Sequence, residues 1–242
     1  MNPNLLSLSL DALGGDFANL SGPLLRESQN AMRSAIDLLL PVVVGSLAKK
    51  GATSEGVADL ASLVCDTKLD TSLIESIEDV LAGSTSRLNT LLKVGTSRLV
   101  PWLFGDASAS LVNAISATSE IRRSSATTLV ALIVPIVLTV VTKQIRDKGL
   151  AATSLSSLLR SQRACVRYKL DSRIIGALGF ARAAEFLDLR SGQPETGTTG
   201  ADAAVRSPTG TAGIPAPAAA VTVVKRLACW LRSRSPGSAR LA

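Results

Sequence analysis

The chain has 242 residues, 46% of them hydrophobic and only 3% aromatic, with a charged fraction of 19% and a positive mean hydropathy. That balance excludes a wholly disordered protein and calls for an aliphatic core of Leu, Val, Ile and Ala. There is no histidine, and Cys65, Cys165 and Cys229 are widely spaced, which removes the commonest general base and leaves no zinc site or disulfide framework to expect. A reducing compartment suits such thiols. The net charge of +7 is uneven: residues 1–142 carry 10 Lys/Arg against 13 Asp/Glu, and residues 143–242 carry 16 against 6. The C-terminal excess suits an anionic surface, nucleic acid or lipid, or else a solvated basic face.

The opening "MNPNLLSLSLDALGG" has no basic stretch and meets Asp11 early, so it does not read as a secretory signal. "RSAIDLLLPVVVGSLAKKG" (33–51) then gives a helix that is apolar all round and belongs inside a bundle. Pro41 predicts a kink or break near Leu40. Lys49 and Lys50 before Gly51 signal the helix end, and Thr53 or Ser54 offers a cap for the next helix, "SEGVADLASLVCD", which is acidic. "SLIESIEDVLAG" (72–83) reads as a short amphipathic helix with a capping box at Ser72 and Glu75. Its carboxylates read as a solvated face. "LVPWLFGDASASLVNAI" (99–115) reads as an apolar segment, a Gly-Asp turn and a helix capped by Asp106.

"TTLVALIVPIVLTVVTKQIRDKG" (127–149) lays over residues 33–51 without a gap for seventeen positions, Pro135 on Pro41 and Lys143 on Lys49. The second copy then has four extra residues, about one helical turn, before Gly149. Residues 124–142 carry no charge, long enough for a transmembrane candidate, but the strictly apolar run from Leu129 to Leu138 is only 10 residues. Asp37 lies inside the first copy's apolar run, where lipid would make it expensive. A repeat predicts one role for both copies, so both are expected as buried helices, the second kinked near Val134. Thr153 and Ser154 offer caps for the helix that follows.

"SLSSLLRSQRACVRYKLDSRIIGALGF" (154–180) reads as one basic amphipathic helix, with Leu159, Val166, Leu170 and Ile174 on one side and Arg160, Arg163 and Arg167 on another. With Lys169 these cations are the candidate contacts to nucleic acid or another anionic surface. Cys165 reads as packed at the apolar edge. Residues 191–220 are a Gly/Pro/Thr/Ala-rich linker, and 221–242 form a basic tail in which Lys225, Arg226, Trp230 and Arg232 are candidate membrane-surface contacts. The run Val221–Leu231 is too short and too charged to span a bilayer. No phosphate-binding loop, dinucleotide fingerprint, nucleophile elbow or calcium loop occurs. No catalytic residue, cofactor or metal ligand is therefore assigned.

"MNPNLLSLSL", "AIDLLLPVVVGSLAKKG", "WLFGDASASLVNAI", "LIVPIVLTVVTKQIRDKGL" and "LSSLLRSQRACVRYKLDSRIIGALGF", in that order over roughly residues 1–180, resemble the bacterial domain of unknown function 937. The resemblance implies an all-α bacterial domain distantly similar to the homeodomain-like YidB group. Some relatives place a membrane anchor or an OmpA-like domain after the linker. The tail here, ending "ACWLRSRSPGSARLA", departs from that pattern.

The expected architecture is an all-α bundle of two similar helix–turn–helix units (about 20–65 and 112–160) around two buried, Pro-containing helices. The helical domain covers 1–190, with a linker over 191–220 and a disordered tail over 221–242. The expected role is that of a non-enzymatic scaffold or protein-interaction domain, cytoplasmic and peripheral on the inner membrane. A nucleic-acid-binding module using 154–180 is the alternative.

Overall fold

Helix ends in this chain are set by a handful of hydroxyls, glycines and carboxylates, and the helices they delimit leave no strand among the described residues. The computed structural model describes residues 3–13, 16–67 and 85–187. In chain order the helices are α1 (Leu5–Leu13), α2 (Phe17–Leu25), α3 (Gln29–Lys50), α4 (Ser54–Thr67), α5 (Thr85–Val94), α6 (Val100–Phe104), α7 (Ser108–Ser119), α8 (Arg123–Lys148), α9 (Ala152–Val166), α10 (Ser172–Ala177) and α11 (Ala183–Leu187). A π-helical turn, Gly95–Leu99, joins α5 to α6, and a 3-10 turn, Gly105–Ala107, joins α6 to α7. The segments 72–83, 191–220 and 221–242 lie outside the described residues.

α3 and α8 form the centre and pack on each other. α1, α2, α7 and α9 surround them, and α9 lies along α3 more extensively than any other helix does. Every residue from Leu129 to Thr142 is buried, as is every one from Leu39 to Ala48. Both helices are long and apolar enough to cross a membrane, yet 72% of the most apolar window in α3 and 89% in α8 is enclosed by the fold. Asp37 is exposed, so the charge inside the first apolar run faces outward.

The prolines do not break these helices: α3 runs through Pro41 and α8 through Pro135. A proline in a helix interior removes one bond to the carbonyl four residues earlier, at a cost of about 3 kcal/mol. Enclosure by the surrounding helices keeps the backbone helical in spite of that cost. The carbonyls left over belong to Asp37 and Ala131. Asp37 is on the exposed side, where water can take the missing donor's role. Ala131 is buried, and there the chain makes a different arrangement. Gly95, the first residue of the π-helical turn, lies so close that a Cβ on it would be 2.1 Å from the Ala131 carbonyl oxygen. Hydroxyls of the π turn bond carbonyls four residues earlier: Thr96 Oγ1 donates to Leu92 O (2.8 Å) and Ser97 Oγ to Lys93 O (2.6 Å).

Several capping expectations are revised. Thr53 does cap α4, its Oγ1 accepting from Gly56 N at 3.0 Å. Thr153 and Ser154 do not cap α9. A left-handed Gly149 (φ 57°) closes α8, Ala151 is extended, and α9 starts at Ala152, so both hydroxyls fall inside the helix. Asp106 does not cap α7 either, because the 3-10 turn winds straight into that helix without an extended residue between them. Residues 154–180 are two helices rather than one. α9 stops at Val166, and Asp171 starts α10 by accepting from the backbone N–H of Arg173 (2.8 Å) and Ile174 (3.4 Å).

A carboxylate ties the beginnings of the two central helices together. Glu27 Oε1 accepts from Arg122 Nε (2.9 Å), from the Arg122 backbone N–H (3.0 Å) and from Ser125 Oγ (2.6 Å). The Arg122 guanidinium also bonds the carbonyls of Leu25 and Arg26. Glu27 thus serves as the cap that α8 lacks in its own sequence, placed at the positive end of the helix dipole. The Ser125 hydroxyl, with Arg122, holds its carboxyl below the ordinary value of 4.5 in spite of partial burial. A carboxylate depressed on folding contributes stability that is complete above pH 4.5 and lost as pH falls through the lower folded value. Glu27→Gln is expected to cost about 1 kcal/mol at neutral pH and to flatten the acid limb of a stability–pH curve. An acid-unfolding midpoint identical to that of the parent would contradict this capping role.

Candidate functional site

The cations that the sequence places on one stripe have different tasks. Arg160 Nη2 donates to Ala52 O at 2.9 Å and Ser156 Oγ to Gly51 O at 2.9 Å, so this face of α9 is clamped on the turn between α3 and α4. Gly51 leaves room for the clamp, since a Cβ there would be 2.1 Å from Leu159 Cδ1. Arg163 is half-buried. Arg167 and Lys169 are exposed, but past the end of the helix, on either side of Tyr168, which is 88% exposed. Cys165 is exposed, not packed, because the buried edge of α9 is carried by Leu155, Leu158, Leu159, Gln162 and Val166 instead. The tail residues Lys225, Arg226, Trp230 and Arg232 lie outside the described residues.

A different cluster comes together at the C-terminal end of α3. The chain has only four Phe, two Trp and one Tyr, yet Trp102, Phe104, Phe180 and Phe186 all line one groove, of about 540 Å³. Trp102 and Phe104 come from α6; Phe180 follows α10; Phe186 lies in α11. Gly45 in α3 leaves the space for the last of these, since a Cβ at this position would be 2.9 Å from Phe186 Cε1. The Phe180 and Phe186 rings meet edge to face, with centroids 5.3 Å apart at 66°.

Two lysines from the last turn of α3 enter the same groove. Lys49 Nζ lies 3.9 Å from the centre of the Phe180 ring and 5.7 Å from that of Phe186. Lys50 Nζ lies 5.6 Å from the centre of the Trp102 ring. All three distances are within the range of a cation–π attraction. Burial holds the Lys49 ammonium below its ordinary pKa; the Glu185 carboxylate opposes the shift and Lys50 adds to it. The Trp102 indole N–H is covered and meets no acceptor among the described residues, an uncompensated donor of a kind that folded proteins rarely keep. Sequence reading took Lys49 and Lys50 as the signal of a helix end, which they are, and missed that they also face an aromatic cluster. The scarcity of aromatic residues, with "PWLF" and the two late phenylalanines holding most of them, was the available clue.

Residues 11–144 match the family model described as a bacterial protein of unknown function, DUF937. The chain is a member of the DUF937 family. No curated protein and no solved structure matches it. The DUF937 match is narrower than the 1–180 over which the sequence motifs resemble that family. It contains α3 entire and ends near the close of α8. The groove therefore straddles its boundary: Lys49, Lys50, Trp102 and Phe104 fall within the DUF937 match, and Phe180 and Phe186 beyond it.

Proposed function

We propose that this DUF937 chain is a non-enzymatic protein-interaction domain, a rigid helical scaffold that receives a partner in the groove at the end of α3. The observation behind the reading is the concentration of four of the chain's few aromatic side chains, with two cations, around one open cleft. Aromatic anchors with a charged companion are the composition of binding hot spots. The enclosure of α3 and α8 supports a domain bathed in water rather than lipid. On this reading it works in the cytoplasm, resting on the inner-membrane surface through its basic tail.

Site-specific photocrosslinking in bacterial cells that express the full chain tests this reading. A photoreactive residue at Thr53 or Ala107, beside the groove, is expected to give discrete protein adducts. The same residue at the exposed Asn113, outside the groove, is expected to give none. The adducts should leave the membrane fraction on alkaline carbonate extraction. Equal labelling at all three positions, or a chain that carbonate cannot extract, would remove the reading.

A further inference from the structure

We infer that the groove at the end of α3 takes a peptide segment of a partner protein in which an acidic residue stands beside large apolar side chains. The inference rests on the interaction-domain reading above and adds the chemistry of the occupant. Lys49 and Lys50 are the charged side chains that line the groove, and neither has an ion-pair partner within 4.0 Å among the described residues. Glu185 influences Lys49 from a distance, but its Oε2 accepts from the Ala181 backbone N–H at 2.9 Å. Each ammonium lies over an aromatic face, which supplies partial compensation and leaves N–H donors to spare. A carboxylate between the two lysines would complete both.

The walls set the rest of the occupant. Trp102, Phe104 and Phe180 are half-buried and offer apolar and ring surface beside the cations, with the buried Phe186 beneath, so a free inorganic anion would leave most of the cleft unfilled. A volume of about 540 Å³ lies in the range of clefts that bury small ligands, and it suits a few side chains rather than a whole helix. Ser46, almost fully buried, forms part of the groove floor.

The test is selection of a random nonapeptide display library on the full chain, with Lys50→Glu and Lys49→Glu/Lys50→Glu as comparisons. Lys50 is exposed, so the single variant is the one expected to fold as the parent does, and circular dichroism checks both. Selected peptides are expected to share an Asp or Glu next to two large apolar residues. Their affinity should fall about tenfold on Lys50→Glu. In 1H–15N spectra they should shift the indole resonance of Trp102 and not that of Trp230. A consensus that is basic or neutral, or binding that ignores the charge reversal, would overturn the inference. So would capture of phosphatidylglycerol vesicles through these lysines without any peptide consensus, which would assign the groove to lipid. If the crosslinks at Thr53 and Ala107 appear while the acidic consensus does not, the interaction-domain reading stands and only the occupant is wrong.

Discussion

Gly95→Ala is expected to lower the stability of the domain by about 3 kcal/mol, the upper part of the usual range for overpacking. In a chain of this size that corresponds to a fall of roughly 6–12 °C in the melting midpoint. The sign is what makes the prediction informative. In an exposed helix, exchange of glycine for alanine stabilises by about 0.5–1 kcal/mol, because the unfolded chain loses freedom. At Gly95 the added methyl would be 2.1 Å from Ala131 O and 2.9 Å from its carbonyl carbon. Both are backbone atoms of a buried helix, so neither can swing aside. Gly176→Ala is the matched comparison, since a Cβ there meets nothing within 4 Å, and it should be neutral or mildly stabilising. Thermal and urea denaturation of the two variants measure the contrast. Equal effects would mean that the π turn does not sit on the proline-freed carbonyl as described.

Gln162→Leu should cost about 2–3 kcal/mol, although the side chain stays similar in size and becomes more apolar. Gln162 is 1% exposed. Its Oε1 accepts from the Leu5 backbone N–H at 2.8 Å, and its Nε2 donates to Pro3 O (3.0 Å) and to Leu158 O (3.1 Å). Removal of the amide leaves a buried backbone donor without a partner at the first turn of α1, and such a loss carries the full desolvation penalty of the group. Amide hydrogen exchange locates the damage. Protection should drop at Leu5 and its neighbours in α1 first, with α8 little changed. A variant as stable as the parent would show that water replaces the amide without loss.

The sequence reading succeeds where a long pattern decides and falls short where a few atoms decide. The all-helical class and the buried, Pro-centred α3 and α8 follow from long aliphatic runs, Leu38–Val44 and Leu129–Leu138, and no local exception reverses them. Whether Pro41 and Pro135 break these helices or only sit within them was not decided by the sequence, because the penalty of a proline is local while the enclosure that offsets it comes from helices distant in the chain. The same holds for caps. Thr53 was visible from its neighbours, whereas α8 takes its cap from Glu27, 95 residues before Arg122. One helix was expected over 154–180 because its apolar period runs on past Val166; the side-chain bonds of Asp171 end that continuity. The groove was hidden for a further reason. Its aromatic residues come from positions 102 to 186, and only the folded chain brings them to the two lysines.

The long reach of the contacts made by α9 bears on how the protein is born. α9 packs on α3 more extensively than any other helix does, and the bonds that fasten it to the turn after α3, from Ser156 to Gly51 and from Arg160 to Ala52, link positions 105 and 108 residues apart. At roughly 5–20 residues per second of synthesis, an emerging α3 waits on the order of 10 s for that cover. During the wait it has the length and oiliness of a membrane-spanning helix. Slow codons between α4 and α9 are expected to prolong that exposure and to increase capture of the nascent chain by factors that bind apolar segments.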